Sequence, residues 1–136
     1  MGEGKRNILA GVILLISFML FGFLLIYLRD FAPGKADWVA AYSTGKHFES
    51  RLAHVHGNLF ALLNLAYGLI LARLELPVRT ARWISWLTVA GLMMPIGIVA
   101  ELAFGAPPIF VLIGGIAMVV ATVWLALAVA RQRASL

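Results

Sequence analysis

Within the apolar run 51–73, the stretch His54-Val55-His56-Gly57-Asn58 and, further on, Asn64 and Tyr67 place ionisable and hydrogen-bonding side chains among leucines and alanines. Imidazole is the group in that set that binds metals and transfers protons near neutral pH, while carboxamide and phenol orient or hydrogen-bond a substrate oxygen. On an α-helix successive residues turn by about 100°, so His54 and His56 point about 200° apart, whereas His54 and Asn58 share a face. His56 aligns instead with Phe60, Leu63, Asn64 and Tyr67. The helix therefore carries two polar seams, and the two histidines cannot grip one ion together. His47 falls in a connecting segment and the chain has no cysteine, so no zinc-type set of three or four converging ligands is expected.

What these residues must be positioned by is set by composition. The 136 residues are 62% hydrophobic and only 12% charged, too little polar surface to clothe a water-soluble domain. A membrane span needs about 20 mostly apolar residues, and four windows qualify: 7–28, 51–73, 81–103 and 108–130. This predicts an all-α integral membrane protein, a single domain over 1–136 built as an antiparallel bundle of four transmembrane helices. The first window runs into YLRDFAPGK, which has no small-residue cleavage site, so it is read as a retained helix rather than a signal peptide. The net charge of +5 does not point to nucleic acid, because the basic residues sit at helix ends. Lys5, Arg6, Arg73, Arg79, Arg82, Arg131 and Arg133 fall on one side, against Arg29, Lys35, Lys46 and Arg51 on the other. The positive-inside rule then puts both termini in the cytoplasm.

Other positions carry smaller expectations. ADWVAAY within the 29–50 connection reads as a short interfacial helix with Trp38 and Tyr42 at headgroup level, and Thr80 as a helix N-cap. Pro95 predicts a kink in the third helix, with Gly91 and Gly97 flanking it to open space or to allow close packing. Glu101, near the outer end of that helix, is read as an interfacial acid, with service to a buried centre as the alternative. Gly114, Gly115, Ala117 and Ala121 form a small-residue face for the core or an oligomer interface.

The plain reading of the polar residues on the second helix is packing, each hydrogen bond to a neighbouring helix being worth about 0.6 kcal/mol. Their clustering supports a site instead, since an intramembrane ionisable group is a functional hypothesis by default. The cofactor that suits one histidine with no partner ligand is haem, whose porphyrin supplies four nitrogens and needs one protein ligand to fix the iron. Gly57, close to His54, leaves space for a flat macrocycle against the backbone. At most one of His54 and His56 holds a given iron.

Ala53-His54, followed in gapless register by Thr80-Ala81-Arg82, then by Phe104-Gly105 and Pro108-Ile109-Phe110, with Leu20-Phe21-Gly22 in the first helix, resembles bacterial styrene oxide isomerase over about residues 20 to 130. The resemblance implies a homotrimer in a bacterial inner membrane, with haem b near subunit interfaces and the iron held by His54; His56, Gly57 and Phe60 are read as adjoining the cofactor from their places on the second helix. It implies rearrangement of a small apolar aryl epoxide to an aldehyde, ferric iron acting as Lewis acid, in a site kept dry by apolar walls such as Phe60, Leu63, Phe104 and Phe110. The polar positions that the family uses beside the haem fall here on Phe60, Gly91 and Val99. Asn58, Asn64 and Tyr67 are the nearby residues left to bond the epoxide oxygen. The second reading is a membrane haem protein that carries electrons or senses a ligand. An electron carrier normally takes a second axial ligand, and Met93 and Met94 lie away from the end of the bundle that bears His54.

Overall fold

The computed structural model describes residues 2–133, all helical apart from turns and connections: α1 (Glu3–Asp30), α2 (Lys35–Ala40), α3 (Gly45–Arg73), α4 (Val78–Gly91), α5 (Met93–Phe104) and α6 (Ile109–Arg133). Four segments, Glu3–Asp30, Gly45–Arg73, Val78–Phe104 and Ile109–Arg131, are long and apolar enough to cross a membrane, so the four expected windows all correspond to helix.

Helices in lipid gain nothing from hiding apolar surface from one another, and close backbone approach has to do the work. Along α1 and α3 that approach is made by glycine. A Cβ added at Gly4 would stand 2.5 Å from the Gly68 carbonyl oxygen, and one at Gly11 would stand 2.8 Å from that of Ala61. Further along, Gly22 meets His54, so residue numbers fall on α3 as they rise on α1.

The third span is broken at Leu92. Pro95 has no N–H to give the carbonyl of Gly91, and the helix restarts at Met93 as α5. On the side of α6 the break is filled. A Cβ at Gly114 would lie 2.1 Å from the Met94 nitrogen, Gly97 faces Val111, and Gly91 faces Met118. Gly114, Ala117 and Ala121 are buried in this contact, which places the small face of α6 in the core.

Two helix ends differ from expectation. Pro77, not Thr80, precedes the first residue of α4, and its carbonyl accepts the Ala81 N–H at 3.0 Å, which leaves Thr80 inside the first turn. α3 begins at Gly45 rather than near 51, because His47 is anchored by tertiary contacts with the α2 segment. The Phe104 end of α5 turns through Gly105 at φ +66°, with Ala106 N–H donating to the Ala100 carbonyl and Gly105 N–H to that of Glu101. The Glu101 side chain is exposed. Apolar packing gathers Tyr67, Leu71, Ile84, Ala121 and Leu125 in one cluster, and Phe60, Leu92 and Met118 in another.

Candidate functional site

The two seams of α3 meet different surroundings. On the inner one, Asn64 is fully buried. Its Nδ2 donates to the carbonyls of Phe60 (3.1 Å) and Thr88 (3.0 Å), while its Oδ1 accepts from Asn7 Nδ2 at 3.1 Å. Asn7 also donates to the Ser85 carbonyl at 3.2 Å and accepts from Ser85 Oγ. Ser85 in turn takes the Arg6 guanidinium at 2.8 Å, which sits 4.0 Å over the Trp86 ring. Tyr67 Oη donates to Thr122 Oγ1 at 2.8 Å, and that hydroxyl donates to the Met118 carbonyl. Among the described residues every buried side-chain nitrogen or oxygen has a partner. Asn64 and Tyr67, expected at a substrate oxygen, are thus committed to joining α1, α3, α4 and α6. A carboxamide with both N–H groups and its oxygen engaged has little left to offer a ligand.

His56 donates from Nδ1 to the Leu52 carbonyl at 2.9 Å, one turn back on its own helix, and its ring lies 6.4 Å from that of Phe60. Phe60 is buried with Leu92 and Met118, and Leu63 packs on the same cluster. Phe104 is 86% exposed and Phe110 is exposed too. None of the four walls expected around a pocket stands beside His54.

The outer seam is different. His54 Nδ1 lies 3.0 Å from the carbonyl oxygen of Phe18 on α1. A carbonyl only accepts, so Nδ1 carries the proton of this bond. Asn58 Nδ2 donates to the His54 carbonyl at 2.9 Å and lies 3.4 and 3.5 Å from the two ring nitrogens. His54 and Asn58 line a cleft of about 570 Å³ between α1, the α2–α3 connection and α3, a volume within the usual range for small-molecule sites. Met19, Gly22, Phe23, Leu25 and Ile26 form its apolar side; Arg29, Tyr42, His47 and Arg51 form its polar end. A Cβ at Gly22 would stand 2.7 Å from His54 Cε1, so the glycine makes room for the imidazole.

Gly57 does not serve as expected. A Cβ there would fall 2.3 Å from the Phe18 ring, so the flat group seated on this glycine is a phenylalanine, which is buried between the helices. Phe18 meets Phe21 edge-on at 6.2 Å between ring centres, and Phe21 lies 6.4 Å from His54. These two rings also line a separate apolar groove of about 250 Å³ with Leu14, Ser17, Ile96 and Val99.

His47 and Arg51 were not expected at the site. His47 is buried, stacked 4.4 Å from Trp38 and edge-on to Tyr42, with Nδ1 directed at the Trp38 carbonyl. The signal was there in the spacing: 47, 51, 54 and 58 recur at i, i+4, i+7 and i+11, one face of a helix. It is visible only once α3 is known to begin at Gly45.

Fold and cleft together define an all-helical chain with four helices able to span a membrane and a histidine-lined cleft at one end. Among the described residues, no three of His, Asp and Glu gather as a metal-holding set. Set against known protein families, curated proteins and solved structures, the chain matches none.

Proposed function

We propose that the chain is a haem b-dependent membrane isomerase that converts aryl epoxides, such as styrene oxide, to aldehydes, such as phenylacetaldehyde. In this reading it works as a homotrimer in a bacterial inner membrane, with both termini in the cytoplasm. The supporting observation is His54: Nδ1–H is held by the Phe18 carbonyl, and the imidazole, with Asn58 Nδ2 3.5 Å from Nε2, lines a cleft with apolar walls. A backbone acceptor behind one ring nitrogen is the arrangement that fixes tautomer and orientation in a metal-binding histidine, and haem asks for one such ligand. His56 has its own carbonyl partner but lies outside the cleft, so the donor set fits the cofactor at His54.

Haem b bound there would supply a ferric Lewis acid for the epoxide oxygen, with no net electron transfer. The chain's part is to orient and to exclude water. Gly22 and Phe18 hold the imidazole in one pose. Met19, Phe23, Leu25 and Ile26 form an apolar side to the cleft, which disfavours the water that would trap a benzylic cation as a diol. Asn58 is the one of the three expected polar residues that reaches the cleft, so hydrogen bonding to the substrate oxygen falls to it. Met19 and Phe23 are exposed at the cleft edge, and a neighbouring subunit covering them would complete the enclosure.

The test is to purify the ferric protein in detergent, record its absorption spectrum and add styrene oxide. Phenylacetaldehyde should form without an electron donor, and dithionite should suppress it. Bound haem with no conversion of any aryl epoxide would instead favour a protein that carries electrons or senses a ligand. Absence of haem would sink both.

A further inference from the structure

The polar end of the His54 cleft holds a cation without a counter-charge. The Arg51 guanidinium lies 3.5 Å over the Tyr42 ring, and Nη1 donates to the Tyr42 carbonyl at 3.2 Å. These contacts fix the side chain and use one of its five N–H donors. The ion pairs Arg29–Asp30 and Arg82–Glu3 do not involve Arg51, and among the described residues it has no carboxylate partner. Arg29, at the same cleft, is more exposed and is paired with Asp30 at 2.7 Å. A half-buried guanidinium beside apolar walls is screened less than one in water and gains most from a ligand anion.

Its place relative to His54 identifies the anion's carrier. Residues 51 and 54 share a face of α3, separated by about 4.5 Å of helix rise. Both side chains line the one cleft, so a macrocycle held at His54 and broad enough to fill that cleft would have part of its rim at Arg51. We propose that Arg51 is the carboxylate-binding end of the cleft, gripping a propionate on the edge of the flat macrocycle whose metal His54 holds. This rests on the haem reading above and names the residue that sets the orientation of the macrocycle in the cleft.

The experiment compares haem b with haem dimethyl ester, in which the acid groups are masked, titrated by absorption into protein produced under haem limitation. Wild type should bind haem b about tenfold more tightly than the ester, the scale of a charge-assisted hydrogen bond. Arg51→Gln should lose that preference while binding the ester as wild type does, which also certifies its fold; Arg51→Lys should keep part of it. An equal preference in wild type and Arg51→Gln would overturn the subsite and leave His54 standing as the iron ligand. Failure of wild type to take up either form would overturn the haem reading and the subsite with it.

Discussion

The inner and outer seams of α3 use the same kinds of side chain to opposite ends. Asn64 and Tyr67 face inward and their polar atoms are taken up by Asn7, Thr88 and Thr122 on three other helices. His54 and Arg51 face a cleft instead: the imidazole bonds the Phe18 carbonyl through Nδ1 and has only Asn58 beside Nε2, and the guanidinium has no carboxylate partner among the described residues. A buried polar group costs free energy unless it is bonded, so saturation marks the residues that hold the bundle together. Unspent valence beside a cavity marks those that meet something else.

The contrast is broken most severely at His54. His54→Ala should purify folded but without the Soret absorption of bound haem, whereas His56→Ala should retain most of it, because its imidazole bonds only to its own helix. Loss in His56→Ala alone would move the ligand to the other face of α3. Next in size is Gly22→Ala. The new methyl would press on His54 Cε1 from 2.7 Å, so the ring must turn, and haem occupancy should fall severalfold at nearly unchanged thermal stability. An unaltered spectrum would show that the imidazole has more freedom than its contacts imply.

On the inner seam the effect should move from ligand to fold. Asn64→Leu leaves one N–H of Asn7 and the side-chain bond to the Thr88 carbonyl unmade, and should cost about 1–3 kcal/mol of stability, read from thermal unfolding in detergent. The folded fraction should keep a normal haem spectrum. A spectral change at undiminished stability would reverse the roles assigned to the two seams. The smallest effect is expected of Tyr67→Phe, which removes one bond to Thr122 and should cost about 0.5–1.5 kcal/mol.

The existence of both seams was legible in the sequence, because a 100° turn per residue separates His54 and Asn58 from His56, Phe60, Asn64 and Tyr67 without any tertiary information. Which seam faces a cavity was not, since that depends on partners far away in the chain. Asn7, a lone amide in an apolar N-terminal window, gave no sign that it meets Asn64. Gly57 looks the same in sequence whether a cofactor or Phe18 lies on it. The polar segment GKHFES read as loop, and only the stacking of His47 on Trp38 explains why helix begins there. Spans are set by local composition, which is why all four were found.

Only 11% of the apolar window of α1 is buried, and its close contacts to α3 run through Gly4, Gly11 and Gly22 and through the Phe18 ring on Gly57. Solvating molecules that insinuate themselves along that seam compete for the same van der Waals surface. Departure of α1 would remove Phe18, Gly22 and a whole wall of the cleft while most of the helical backbone stayed intact. Ligand release should therefore precede any loss of circular-dichroism signal as detergent grows harsher, making pigment colour a more sensitive gauge of native assembly than helicity.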